Sequence, residues 1–230
     1  PGWVNNELQA YTDRDTNVFI QDGNLVLRAL IEPGFFGTDY TGTSYTADYT
    51  SGRLNTAGKG AWTYGRFETR AKLPKGIGSW PAIWMLGSNI STVGWPHCGE
   101  IDIMEHVGCN LNLTKGSVHT EDCNWNDGCP NQSSGGNGQD QFVPGVSDNF
   151  NIYSIEWSTS NIRFFVNNVH YWTFTNIGTG PGMWPFDQDF HIILNLAIGG
   201  SWGGICGIDN SSFPQEMKVD FVRVYKSINE

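Results

Sequence analysis

The sequence has few charged residues and no long apolar run, and both absences restrict the class of protein to which it can belong. Only 16% of the residues are charged, and 13 Lys and Arg stand against 23 Asp and Glu. The net charge of −10 argues against nucleic acid or an anionic membrane as a partner, because both require clustered basic side chains. No apolar stretch approaches the length that spans a bilayer. A neutral, ring-shaped ligand fits this composition best.

Helical periodicity is also missing, because no window of eleven or more residues holds a capped apolar repeat of 3.6 residues. The chain is instead rich in glycine (29) and aromatic residues (13%, with ten Trp). This composition is typical of short strands joined by tight loops. The 230 residues show no repeat, linker or break in composition. We therefore predict one all-β domain over residues 1–230, a sandwich or a barrel.

Several segments carry the alternation of half-buried strands. Polar and apolar residues alternate over 65–73, and the segments 161–167 and 217–225 are similar. Residues 191–198 (HIILNLAI) form a nearly continuous apolar run, which predicts a central strand covered on both faces. Asp22-Gly23 marks a tight turn.

Large aromatic rings lie among glycines in the predicted loops. Trp95 follows a glycine, Trp125 lies between Cys123 and Cys129, and Trp202 lies within the glycine-rich segment 199–204. Such rings either cap the ends of a sandwich or line a groove for a flat, apolar surface such as a pyranose ring. Taken together, they favour the groove.

The five cysteines show no zinc-site spacing, and their odd number leaves at least one thiol without an intramolecular partner. Cys123 and Cys129 flank a loop rich in Asn and Gly, which is compatible with a local disulfide. The partners of the others are not readable from the sequence. They are Cys98, Cys109 and Cys206.

The segment 99–106 (GEIDIMEH) holds three acidic residues. Glu100 and Asp102 share one face of a strand, while the isoleucines between them face a core. A regular strand would turn Glu105 into that core and bury its charge at considerable cost. A β-bulge around Met104 shifts the alternation by one residue and places all three carboxylates on one face.

Three carboxylates on one face repel each other, so they need partners or a function. His106 is the nearest partner in sequence. Crowding and partial burial separate the pKa values of such groups, as acid/base catalysis requires. A retaining glycosidase needs two carboxyl groups about 5–5.5 Å apart. The residues favour this reading over a metal site or a solvated acidic face, and all three alternatives remain open here.

Three motifs carry a family resemblance. Residues 80–86 (WPAIWML), 94–96 (GWP) and 99–105 (GEIDIME) together resemble glycoside hydrolase family 16, and within it the laminarinases, which are endo-1,3-β-glucanases. The resemblance covers nearly the whole chain. Further matching segments are 3–9, 62–68, 116–119, 184–187 and 219–225.

The resemblance implies a jelly-roll β-sandwich of two antiparallel sheets with a concave substrate cleft. It implies that Glu100 is the nucleophile, that Glu105 is the general acid/base and that Asp102 tunes their protonation. The extra residue at Met104 is typical of laminarinases, whereas members that cut mixed-linkage glucan lack it. We expect a retaining endo-1,3-β-glucanase that acts on β-1,3-glucan and needs no organic cofactor.

The resemblance also implies substrate contacts for seven further residues, for which ordinary packing is the alternative. They are Trp80, Trp84 and Trp95 as sugar-stacking and cleft-floor residues, Trp202 as a cleft wall, Arg66 and Asn5 as donors to glucose hydroxyls, and His119 beside the acid/base.

Members of this family often hold a structural calcium ion, and Gly23 (through its backbone) and Asp220 resemble two of its ligands. Calcium takes six or more oxygen ligands, so two residues make an incomplete set. Relatives usually carry about one more strand before the Trp3 region, with an acidic calcium ligand. Its absence from this sequence predicts an exposed strand edge.

Alternative functions follow from the same resemblance. A relative of this kind can cut mixed-linkage β-1,3-1,4-glucan or a galactan, or bind β-glucan as a lectin-like protein without cutting it. A lectin-like protein is expected to lose a catalytic carboxylate, and both are present here. We expect a secreted monomer. No leader peptide is visible, so a secreted protein would be present here in a processed or trimmed form.

Overall fold

The computed structural model describes residues 4–39, 41–124, 129 and 137–226. Within these ranges the chain forms fifteen strands, two four-residue α-helices and two 3-10 turns (Val4–Asn6 and Asn210–Ser212). The elements are β1 (Gln9–Tyr11), β2 (Val18–Gln21), β3 (Asn24–Thr38), β4 (Ser44–Ser51), β5 (Arg53–Asn55), β6 (Gly65–Lys72), β7 (Ser79–Gly87), α1 (Ile90–Val93), β8 (Glu100–Glu105), β9 (Leu113–His119), β10 (Gly138–Phe142), β11 (Asn151–Trp157), β12 (Asn161–Val166), β13 (Val169–Thr175), β14 (Phe190–Ile198), α2 (Gly200–Gly203) and β15 (Gln215–Tyr225). No helix among the described residues is long and apolar enough to cross a membrane.

The strands form two sheets. The nine-stranded sheet has the order β1-β4-β3-β15-β6-β11-β12-β13, with β2 paired to β3. The six-stranded sheet has the order β10-β9-β8-β7-β14-β5. Neighbouring strands are antiparallel, except that β1 and β4 run parallel. The all-β sandwich predicted from the sequence is confirmed.

The core lies between the two sheets and follows the predicted alternation. Phe67, Thr69 and Ala71 of β6 are buried, while the residues between them are partly exposed. Every residue of β14 is buried, and β14 lies inside its sheet, between β7 and β5. The continuous apolar run over 191–198 is thereby explained.

A β-bulge interrupts β8, as predicted. Against β7, Met104 lies opposite Ile83 and Asp102 opposite Trp84, so Ile103 is the extra residue. Ile103 and Met104 are both buried, which returns Glu105 to the face that carries Asp102. Gly116 of β9 lies beside the bulge, where a Cβ would come within 2.3 Å of the Tyr171 hydroxyl.

Two disulfides and one free thiol account for the cysteines. Cys123 pairs with Cys129, as the loop composition suggests. Cys109 pairs with Cys206 across a sequence separation of 97, which no sequence feature indicated. Cys98 is free and buried. Burial raises the pKa of the Cys98 thiol to about 11.

Candidate active site

The three acidic residues lie on the outer face of the six-stranded sheet, here termed the catalytic face. The strand register places side chains in rows that run across the sheet, because directly paired residues share a face. One row contains Asp140, Lys115, Glu105, Ala82, Asn195 and Arg53. The next contains Ser117, Asp102, Trp84 and Ile193, and the third contains His119, Glu100, Leu86 and His191.

Trp95 holds the carboxylate of Glu100. The Trp95 Nε1–H donates to Glu100 Oε2 at 2.7 Å, and the Trp95 ring lies 5.9 Å from the His119 ring. Trp95 comes from the loop after α1 and remains 42% exposed. Its indole therefore combines an apolar surface for a sugar with a donor to the carboxylate.

Trp80 holds the carboxylate of Glu105. The Trp80 Nε1–H donates to Glu105 Oε1 at 3.1 Å, and Trp202 packs edge-on against Trp80 with ring centroids 5.6 Å apart. Glycine permits this contact, because a Cβ on Gly203 would come within 2.8 Å of the Trp80 Cβ. The loop with Trp202 thus forms a wall beside the acid/base candidate.

Asp102 lies between the two glutamates and is itself buried. The Ser117 hydroxyl donates to Asp102 Oδ2 at 2.8 Å and lies 3.3 Å from Glu105 Oε2. His119 Nε2 lies 3.2 Å from Asp102 Oδ2. Both partners come from β9, which pairs directly with β8. Ser117 was not singled out from the sequence, although it lies two residues from His119 and so shares its face.

The carboxyl groups titrate together. Burial, reinforced by the negative charge of Asp102, raises the pKa of Glu100 and of Glu105 to about 8 each, although His119 opposes the rise. Burial raises the pKa of Asp102 to about 6, while hydrogen bonds from Ser117 and Glu100 lower it. Between about pH 6 and 8 the three groups therefore hold two protons.

The same residues offer the donor set for a metal ion. One ligand atom from each of Glu100, Asp102 and His119 lies within 4.8 Å of the others. This set is smaller than the hydrogen-bonded cluster to which it belongs, since Ser117 and Trp95 also bind these carboxylates. The geometry suits carboxylate acid/base chemistry equally well.

A second polar network lies on the catalytic face beyond Trp84. The Trp84 Nε1–H donates to Asn195 Oδ1 at 2.7 Å, and the Asn195 amide donates to the Tyr11 hydroxyl at 3.1 Å. Arg53 stacks over the Trp84 ring at 5.0 Å. The Tyr11 hydroxyl also donates to Glu7 at 3.2 Å, and burial raises the pKa of Glu7. Sequence reasoning missed this network, because its members come from four separate segments.

The small side chain of Ala82 separates the two networks, since it lies between Glu105 and Asn195 in the same row. Its side chain is a single methyl group, and the residue is 7% exposed.

Asn5 lies near the Trp202 wall. A Cβ on Gly200 would come within 3.0 Å of the Asn5 backbone oxygen, and Gly200 accordingly has a positive φ of 78°. Asn5 is exposed, and its role as a donor to glucose stays a prediction. Trp125 lies outside the described residues.

The prediction that Arg66 donates to glucose is wrong. Arg66 belongs to β6 of the nine-stranded sheet, and Phe67 beside it faces the core, so Arg66 faces away from the catalytic face. Its guanidinium binds Glu68 at 2.7 Å and Glu156 at 2.9 Å. The cross-strand ion pairs explain its position on the surface of that sheet.

His106 is not a partner of the acidic residues. Its ring is fully buried, and Nδ1 lies 2.7 Å from the Leu113 carbonyl oxygen. The residue follows Glu105 on the strand and therefore points to the opposite side.

Gly23 and Asp220 fit a calcium site poorly. Gly23 belongs to the β2–β3 turn, and Asp220 lies at a register shift in β15. The Asp220 carboxylate is already paired with Arg70 Nη1 at 2.6 Å, so a cationic side chain balances its negative charge. The calcium ion stays a prediction, and no step of the chemistry depends on it.

A two-sheet β-sandwich with two glutamates flanking an aspartate on an open sheet face, each glutamate held by a tryptophan, defines a glycoside hydrolase. The chain belongs to the glycosyl hydrolases family 16, whose family model matches residues 6–223. The resemblance inferred from the three motifs is therefore confirmed.

Several relatives of the chain are named as glucan-cleaving enzymes. It is 47% identical to the beta-glucanase of Rhodothermus marinus, over 98% of this chain and 76% of that protein. It is 38% identical to glucan endo-1,3-beta-glucosidase A1 of Niallia circulans, over 98% of this chain but only 33% of that protein. The structure of the laminarinase from Rhodothermus marinus is similar, with a TM-score of 0.84 at 43% identity over 96% of this chain and 85% of that one.

Proposed function

We propose that the chain is an endo-1,3-β-glucanase that hydrolyses laminarin-type glucans with retention of configuration. The observation that carries the proposal is the trio on β8, with Glu100 and Glu105 each bound by an indole N–H and Asp102 between them. Retaining hydrolysis requires one carboxylate as nucleophile and one carboxylic acid as proton donor.

In the first step Glu100 attacks the anomeric carbon, and Glu105 donates its proton to the leaving oxygen. The active form needs an ionised Glu100 and a protonated Glu105. This form arises when one proton moves from Glu100 to Asp102 along the hydrogen bond between them. The cluster then still holds two protons, one on Asp102 and one on Glu105. The donor N–H of Trp95 then stabilises the Glu100 carboxylate.

In the second step water attacks the anomeric carbon of the glycosyl-enzyme. Glu105 accepts a proton from that water, the bond from C1 to Glu100 breaks, and its electron pair returns to Glu100. The Ser117 hydroxyl, within reach of both Asp102 and Glu105, keeps the two carboxyl groups in one hydrogen-bonded cluster.

The preference for 1,3-linked glucan is supported by two features. The bulge at Ile103 and Met104 in β8 is the local feature that distinguishes laminarinases in the resemblance. The names of the glucanase relatives point the same way. Endo action is supported by rows of polar and aromatic side chains that extend across the whole six-stranded sheet to Arg53.

We also propose that the protein is secreted and acts as a monomer. Two disulfides support an oxidising compartment, because such bonds persist outside the reducing cytosol. An extracellular location suits an enzyme whose substrate is an insoluble or high-molecular-weight glucan. Detection of the protein in the culture medium of the source cells tests the first statement, and size-exclusion chromatography tests the second.

The proposal is tested by product analysis on laminarin and on mixed-linkage barley glucan, with Glu100→Gln as the control. Short oligosaccharides from laminarin are expected, with at least about a 10³-fold loss of turnover in the variant because the nucleophile is gone. An unchanged circular dichroism spectrum establishes that the variant is folded. A preference for barley glucan or agarose, or near-normal activity of Glu100→Gln, would refute the assignment, and binding without cleavage would indicate a lectin-like protein.

A further inference from the structure

A cavity with a volume of about 220 Å³ opens beside Glu105, and its lining includes Lys115, Asp140 and Trp202. Lys115 and Asp140 are paired across β9 and β10, in the row that contains Glu105. The Lys115 ammonium lies 6.0 Å from the centre of the Trp202 ring. A hydrogen-bond donor, an acceptor and an aromatic ring therefore border one space. We call it the leaving-side cavity, because Glu105 donates its proton to the leaving oxygen in the proposed mechanism.

Trp202 lies on a segment with little rigidity of its own. Five of the nine residues from 199 to 207 are glycine, which leaves the backbone a wide conformational freedom. The helix α2 within the segment has four residues, far below the roughly 12–15 that an isolated helix needs in water. The backbone N–H groups of Gly204, Ile205 and Gly207 donate to carbonyl oxygens of the same segment. These bonds close turns within the segment and do not fix its position on the sandwich.

The Cys109–Cys206 disulfide ties this segment to the β8–β9 loop. Cys206 follows Trp202 by four residues, and Cys109 follows Glu105 by four. Two further residues of the β8–β9 loop, Val107 and Asn110, line the leaving-side cavity. The disulfide thus links the two chain segments that border the cavity, one of which carries Trp202 while the other begins at Glu105.

We infer that the Cys109–Cys206 disulfide holds Trp202 beside Glu105 and thereby forms the binding site for the sugar on the leaving side of the bond that is cut. The inference rests on the proposed function. The ligand is a neutral, β-linked glucose unit, whose apolar face packs on the Trp202 ring and whose hydroxyls bind Lys115 and Asp140. Cys109 and Cys206 are positioning residues, because they act on this sugar only through Trp202.

The consequence separates substrates by their leaving group. A laminarin chain leaves as a sugar that occupies the leaving-side cavity. In β-laminaribiosyl fluoride the leaving group is a fluoride ion, which has no ring to pack on Trp202. A sugar acceptor that attacks the glycosyl-enzyme enters the same site as a leaving sugar. Loss of the disulfide should therefore weaken cleavage of laminarin and transfer to an acceptor, while release of fluoride keeps its rate.

The test compares laminarin with β-laminaribiosyl fluoride in the variant that carries Cys109→Ser and Cys206→Ser. Its kcat/KM for laminarin should fall about fivefold, as loss of one aromatic contact predicts, while kcat/KM for the fluoride stays within about twofold of the wild-type value. With laminaribiose added as acceptor, the ratio of transfer to hydrolysis products from the fluoride should fall in the same proportion. Each assay is run well below the midpoint of thermal unfolding of the variant.

Two further comparisons show whether the disulfide acts through Trp202. Trp202→Ala should lower kcat/KM for laminarin when the disulfide is present and have little further effect when it is absent, because coupled residues are not additive. The matched control carries Cys123→Ser and Cys129→Ser, which remove the other disulfide. This control should leave the ratio of the two kcat/KM values unchanged.

Three outcomes would overturn the inference. They are an equal loss on laminarin and on the fluoride, additive effects of Trp202→Ala and the loss of the disulfide, and an unchanged kcat/KM for laminarin in the variant without the disulfide. A wild-type protein that cleaves neither laminarin nor the fluoride would instead refute the proposed function.

Discussion

Trp95 donates its indole N–H to Glu100 Oε2 at 2.7 Å, from a loop that precedes the strand on which Glu100 lies. The bond is shorter than the 3.1 Å that joins Trp80 to Glu105. A donor stabilises the ionised form of a carboxyl group, so the closer indole favours the anion at Glu100. Burial nevertheless raises the pKa of both glutamates to about 8, so the Trp95 bond offsets only part of the cost of ionising Glu100.

Trp95→Phe should lower kcat by about 10- to 100-fold, since a hydrogen bond to a charged group contributes about 1.5–3 kcal/mol. The pKa of Glu100 should rise as well, because a donor to its carboxylate is lost. The control is Trp84→Phe, which removes a donor to Asn195 and no donor to a carboxylate. Both variants should be compared by kcat, KM and pH profile, and an equal effect on the profile would contradict the assignment.

The pH dependence of kcat/KM should be bell-shaped, with limbs near pH 6 and pH 8. Below about pH 6 Asp102 takes up the third proton, and Glu100 can no longer become an anion. Above about pH 8 Glu105 loses the proton that the leaving oxygen requires. The two apparent pKa values of the profile belong to the three coupled carboxyl groups together and not to single residues. Ser117→Ala should shift the acidic limb upward, because the Ser117 hydroxyl lowers the pKa of Asp102; an unshifted limb would exclude Asp102 as its origin.

Arg53 and Arg66 form a matched pair of arginines on opposite sheets. Arg53→Ala should raise KM for laminarin several-fold. Arg53 lies at the end of the row that contains Glu105, and its guanidinium stacks on Trp84 of the neighbouring row. Arg66→Ala should leave kcat and KM unchanged, because its guanidinium binds Glu68 and Glu156 on the nine-stranded sheet. Steady-state kinetics on laminarin separates the two outcomes, and a larger KM effect at Arg66 would restore the original prediction.

The Cys109–Cys206 disulfide should contribute more to stability than the Cys123–Cys129 disulfide. Its sequence separation is 97 against 6, and loop-closure entropy predicts about 4–5 kcal/mol against about 2–3 kcal/mol. Replacing both cysteines of each pair by serine and measuring unfolding in urea tests this ranking. Cys98 is buried and provides an unreactive background thiol in every variant. Equal stability losses would show that strain or residual structure outweighs chain entropy.

Most features at the centre of the site could be predicted from the local sequence. Glu100 and Asp102 are two residues apart, so the strand period alone places them on one face. The cost of burying the charge of Glu105 then predicts the bulge, and the structure has it at Ile103. The strand over 65–73 and the buried strand over 191–198 follow from the same alternation. These features depend on neighbours along the chain.

The partners of the carboxylates depend on contacts between distant segments. Ser117 reaches Asp102 through the β8–β9 register, and Trp84, Asn195 and Tyr11 meet only because their strands converge on one face. Arg66 was misplaced because a strand motif shows which residues alternate but not which of two sheets the strand joins. The sequence by itself therefore determined the alternation of side chains along the strands, the bulge in β8 and the three acidic residues of the site. Only the tertiary structure decided which donors hold the trio, because pairing between strands is a long-range choice that no local pattern specifies.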